Sequence, residues 1–143
     1  SNRSLTHQEK ESISKLIKDF LNNWKSHGVS LNSGFEIKYN RFIVIAQDQN
    51  VQSVSGCSID SMVNFIQKLE KQYNISLLDK LNVSYKQGDY IAYKSLKDFK
   101  KMVKDGAVSK NTIVFNNLVQ TKLEYSNCWE VPAFESWHAR FFK

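Results

Sequence analysis

The sequence predicts an α+β fold in which helices pack on a mainly antiparallel sheet, and three observations carry that expectation. Residues 6–25 and 54–74 place apolar side chains three or four positions apart, the spacing that gathers them on one face of a helix. Residues 35–46 and 83–93 are rich in β-branched and aromatic residues and are interrupted by turn formers, the pattern of strand pairs. The connections between these strands are too short for a crossover helix, which favours antiparallel pairing.

The first helix is marked at its start by Thr6 and Glu9, a capping box in which each side chain satisfies the other's backbone N–H. Ile13, Leu16, Ile17, Phe20, Leu21 and Trp24 then share one face, predicting a helix over 6–25 that His27 and Gly28 terminate. Next, Phe35, Ile37 and Tyr39 alternate with Glu36 and Lys38, the period of a half-buried strand. Asn40 and Arg41 offer a two-residue turn, and residues 42–46 are continuously apolar, as in a central strand covered on both faces.

The second helix organises the chain. Ile59, Met62, Val63, Ile66, Leu69 and Tyr73 are expected to face inward, with Ser58 and Asp60 satisfying first-turn N–H groups and Asn74 closing the far end. Gly56, at its start, predicts a positive φ or a close backbone approach. Leu77, Leu78 and Leu81 suggest a buried turn. Val83 and Tyr85, then residues 90–93, make two short strands around Gln87, Gly88 and Asp89. Ser95 and Asp98 cap a third helix with Leu96, Phe99, Met102 and Val103 inward, and Gly106 stops it. Strand character returns at 112–115. From Asn116 the pattern weakens, and the chain ends in the aromatic and basic segment SWHARFFK.

Composition bounds the function classes. A chain of 143 residues with 41% apolar and 13% aromatic residues suffices for one core, and no repeat or Pro/Gly-rich linker divides it, so a single domain over 1–143 is expected. No run of about 18 apolar residues is present to span a membrane. Two cysteines without a CxxC pair suit a reducing cytoplasm better than a disulfide scaffold. The net charge of +6 is moderate and does not by itself predict a nucleic-acid binder. His7, His27 and His138 are isolated from one another, which predicts neither a metal nor a cofactor site.

The segments FEIKYNRFIVIA, SGCSIDSMVNFIQKLEK, KDGAVSKNTIVFNN and ESWHARFF resemble those of short bacterial proteins that carry the label ABC transporter ATPase, and the likeness extends over most of the chain. The resemblance implies a β-α-β-β-α-β-like order whose first strand is not seen here, and from it a ferredoxin-like arrangement. Its label implies ATP hydrolysis, but the residues predict none. The string GxxxxGK[ST], whose N–H groups and Lys cradle phosphate, does not occur, and the strand at 112–115 ends in Asn116 and Asn117 rather than in a magnesium-holding acid.

Three constellations remain. Cys57 lies at the positive end of the second helix's dipole, which favours a thiolate, and His138 is the base that would serve it, oriented by Asp60 or an Asn; alternatively, Cys57 is a small residue filling a turn. The N–H groups of 58–60, with Arg41 or Arg140, suit an anionic ligand, or else Ser58 and Asp60 form an ordinary cap. Lys97, Lys100, Lys101 and Lys104 recur on one face of the third helix, but Asp98 and Asp105 dilute them, which favours a solvated face. Trp24, Trp129 and Trp137 read as core or interface anchors, and the aromatic tail suits a partner protein or a second copy of the chain. The expected function is therefore a non-catalytic module binding a small ligand or a protein partner through Gly56, Ser58, Asp60, Arg41 and Arg140. The alternative is a thiol-dependent enzyme with Cys57 as nucleophile and His138 as base.

Overall fold

The computed structural model describes residues 1–50 and 52–143, which form two compact units, Ser1–Leu78 and Asp79–Lys143. Each has its own apolar core, and the fold class is α+β, with every strand pairing antiparallel.

In the first unit, α1 spans His7–Asn22 behind the capping box read from the sequence. Glu9 N–H donates to Thr6 Oγ1 at 3.1 Å and Thr6 N–H to Glu9 Oε1 at 2.9 Å. Arg3 grips the Glu9 carboxylate with two bonds of 2.8 Å and also donates to the Tyr73 carbonyl, fastening the chain ahead of α1 to the end of the second helix. The Arg3 guanidinium, with the Thr6 N–H, holds the Glu9 carboxyl well below the usual carboxylate range. α1 ends before Lys25, because β1 (Lys25–Ser26) and β2 (Val29–Ser30) pair across His27 and Gly28, whose φ values are 52° and 78°. The two residues expected to cap a helix instead make a reverse turn.

β3 (Ser33–Lys38) and β4 (Phe42–Gln47) pair so that Phe35 faces Ile45 and Ile37 faces Ile43. These four side chains pack on the core formed by Ile13, Ile17 and Leu21 of α1 with Ile66 and Leu69 of α2 (Gly56–Tyr73). The hairpin loop is Tyr39, Asn40 and Arg41, one residue longer than expected, with Tyr39 and Asn40 at positive φ; Arg41 closes it, its N–H donating to the Lys38 carbonyl at 3.1 Å, and is buried. Among the described residues β4 pairs with β3 alone, and its Ala46 is exposed, so the apolar run is an edge strand, not a central one.

α2 is capped by Ser55, with Gly56 and Cys57 its first two residues, and Asn74 ends it in the left-handed region at φ 51°. Its buried face runs through Ser58, Ile66 and Leu69, with Met62, Phe65 and Tyr73 packed alongside. Phe65 stacks on Phe20 with ring centres 4.5 Å apart. Ile59 and Val63, expected inward, are 53% and 36% exposed; the helix is rotated so that Phe65 takes the core position. Gly56 lacks a positive φ, and a Cβ added there would meet nothing within 4 Å, so neither conformational reason for a glycine applies.

The second unit is built on a sheet of order β6-β5-β7-β8. Its strands are β5 (Asn82–Gln87), β6 (Tyr90–Ser95), β7 (Ile113–Phe115) and β8 (Glu130–Pro132). α3 (Leu96–Lys104) follows β6 directly, capped by Ser95, and Gly106 at φ 73° stops it as expected. The core gathers Val83, Tyr85, Phe99, Val108, Val114 and Ala133. The tail, patternless in the sequence, folds as α4 (Lys122–Cys128), β8 and two 3-10 helices, Ala133–Glu135 and Trp137–Phe142. A ferredoxin-like arrangement needs two βαβ crossovers within one sheet. Here the described strands lie in separate sheets of two, two and four, without a parallel pair, so that expectation is not met. Among the described residues no helix is long and apolar enough to cross a membrane.

Candidate functional site

The start of α2 is held by a chain of hydroxyl bonds. Ser58 Oγ donates to the Lys25 carbonyl at 2.5 Å, so the Ser55 hydroxyl, 2.8 Å away, is the donor to Ser58. Ser55 Oγ also accepts the Ser58 N–H at 3.1 Å. From the other side, Trp24 Nε1 donates to the Ser58 carbonyl at 2.9 Å. Ser58 is consequently 2% exposed: it fastens α2 to the end of α1 and to β1 and does not face solvent. The cap belongs to Ser55, while Asp60 is exposed and outside it.

Gly56, Ile59, Asp60 and Val63 fall at helical offsets of three, four and seven, within an arc of about 100° on one side of α2. All four are exposed. Gly56 and Asp60 are the site residues expected from the sequence; Ile59 and Val63 join them because their spacing, which also fits a buried stripe, falls on the exposed side. Cys57, a free thiol, is exposed in the first turn, and its carbonyl accepts a bond from Ser61 Oγ at 2.9 Å.

Arg41 belongs to the same unit but has other partners. Its Nη1 donates to the Ser1 carbonyl at 3.2 Å, its Nε is buried without a partner among the described residues, and burial lowers its pKa.

His138 and Arg140 belong to the second unit, on its terminal 3-10 helix. His138 is 0% exposed, with Nδ1 2.6 Å from Ser136 Oγ and its ring stacked on Trp137 at 3.9 Å between centres. Phe99 and Phe141 meet it edge-on, and its Nε2 is buried without a partner among the described residues. Burial, with a smaller contribution from Arg140, lowers its pKa from 6.5 to about 4, so the ring is neutral at pH 7. Arg140 is exposed, its guanidinium carbon 5.0 Å from the Trp137 ring centre and 5.2 Å from that of Phe141. Ser136 Oγ, two residues ahead, accepts the His138 N–H at 3.1 Å, a Ser-x-His spacing from which this local cap could be read.

Among the described residues no group of three His, Cys, Asp or Glu side chains is placed to hold a metal ion. The chain matches no protein-family model, no curated protein and no solved structure at a significant level.

Proposed function

We propose that this chain is a non-catalytic binding module whose contact surface is the start of α2, residues 56–61 continued to Val63. The observation that carries this reading is the outward side formed by Gly56, Ile59, Asp60 and Val63, where two aliphatic side chains stand exposed beside a carboxylate. Exposed aliphatics on a well-capped helix suit a protein partner, including a second copy of this chain, better than a small anion, which Asp60 would repel. The free thiols of Cys57 and Cys128 suit a reducing cytoplasm. ATP hydrolysis is no part of the reading, since the phosphate-cradling string is missing from the sequence.

A thiol-dependent enzyme is the second reading, favoured by one feature: the free, exposed Cys57 at the positive end of α2. Against it, His138, its expected base, is enclosed by aromatic rings with Nδ1 engaged by Ser136.

One experiment separates the two. In a Cys128→Ser background, Cys57 should react with iodoacetamide at pH 7 no faster than a small free thiol, and Ile59→Asp with Val63→Asp should abolish partner capture while Cys57→Ser leaves it intact. Alkylation more than about tenfold faster than the free thiol would overturn the binding reading in favour of the enzyme.

A further inference from the structure

We propose that the lysine face of α3, extended by Arg140, is a sequence-independent contact for the phosphate backbone of a nucleic-acid duplex. This site lies in the second unit and does not depend on the surface proposed on α2.

At 3.6 residues per turn, Lys97, Lys100, Lys101 and Lys104 fall within an arc of about 100°. They lie opposite Phe99, which is wholly buried. All four are exposed, and none is ion-paired among the described residues. Asp98 and Asp105 both fall on the Lys101 flank of this arc, so they dilute one edge rather than its centre. On the other flank the terminal 3-10 helix adds a cation: Lys100 Nζ lies 5.7 Å and the Arg140 guanidinium carbon 5.2 Å from the Phe141 ring centre. Two like charges drawn to one ring repel each other, and an anion bridging them relieves that repulsion.

The geometry selects the class of anion. Lys97 to Lys104 spans about 10 Å of helix, too long for one small anion, whereas a duplex carries a charge every 1.7 Å or so of its axis. Stacking of unpaired bases needs an open ring face, yet Trp137 carries His138 at 3.9 Å and Arg140 at 5.0 Å. A bilayer would need an apolar anchor beside the cations, and the rings here are half-buried. Backbone contact with a duplex is what remains, and it is read by charge, without base specificity.

The test is fluorescence anisotropy of a labelled DNA duplex of about 20 base pairs with the full chain, across roughly 50 to 200 mM salt. Contacts to four or five phosphates predict a slope of log affinity against log salt of about −4. The triple variant Lys100→Gln, Lys101→Gln, Lys104→Gln should reduce that slope by about 2 to 3, while Lys15→Gln, Lys18→Gln, Lys68→Gln, an equal loss of charge on α1 and α2, should leave it within about 1. Far-UV circular dichroism checks that both variants fold. Absence of binding at the lowest salt, equal losses in the two variants, preference for the single strand, or binding to phosphatidylserine vesicles but not to DNA would each overturn the proposal.

Discussion

Lowering the pH from 7 to 4 is expected to destabilise the second unit through His138. A proton added to this ring would place a charge in a site with no exposure and leave Nε2–H without an acceptor. The native pKa is accordingly about 4, against 6.5 for an ordinary histidine, with burial the larger cause and Arg140 the smaller. Between these values the unfolded chain holds the proton and the native chain does not, so stability rises with pH across that window. At about 1.4 kcal/mol per unit of pKa, the depression amounts to about 3 kcal/mol, fully present above pH 6.5 and lost as the pH falls to about 4. That is a large share of the 5 to 15 kcal/mol or so typical of a folded domain. The assay is urea unfolding followed by tryptophan fluorescence at several pH values, with His138→Phe as the comparison, because phenylalanine keeps a planar ring in place and does not titrate. The native chain should lose about 3 kcal/mol more than the variant over the window. Parallel profiles, or an imidazole NMR titration of His138 with its midpoint near 6.5, would refute the reasoning.

Two further pairs of substitutions test the orientation and the first turn of α2. Leu69→Ala, at a wholly buried position, should cost about 2 to 5 kcal/mol in urea unfolding, whereas Ile59→Ala should cost under about 0.5 kcal/mol; equal losses would restore the inward face that the sequence suggested. Gly56→Ala meets no neighbour and needs no positive φ, so it should raise stability by up to about 1 kcal/mol through the unfolded chain. Gly106→Ala, at φ 73°, should lower stability by about 1 to 2 kcal/mol, and a loss at Gly56 comparable to that at Gly106 would contradict the first-turn placement.

Local chemistry was legible in the sequence wherever one element decides it alone. The Thr6–Glu9 capping box, the Ser95 cap, Asn74 in the left-handed region and the Gly88 turn all rest on side chains within a few residues of the backbone they serve. Properties set by packing partners were not. The apolar run at 42–46 fits a central strand and an edge strand equally, and only the absence of a second neighbour distinguishes them. Ile59 and Val63 lie one helical step from the buried face, and the choice between them and Phe65 was made by the ring of Phe20 on α1. β8 has three residues, too few to show alternation, and exists because β7 offers it Ile113 to Phe115.

The candidate site divides along the same line. A residue type names the chemistry it can perform, and its surroundings decide whether it performs it. Cysteine and histidine read together as nucleophile and base, but a general base must present a free nitrogen to the proton it takes. In His138 one nitrogen is engaged by Ser136 and the other is sealed beneath rings. The same burial that makes it a poor base makes it a strong determinant of stability against acid, because both follow from the cost of charging the ring. Ser58 shows the parallel case: a hydroxyl expected to meet a ligand instead spends its proton on the Lys25 carbonyl, and the same bond fixes the first turn of α2 with Gly56, Ile59 and Asp60 exposed.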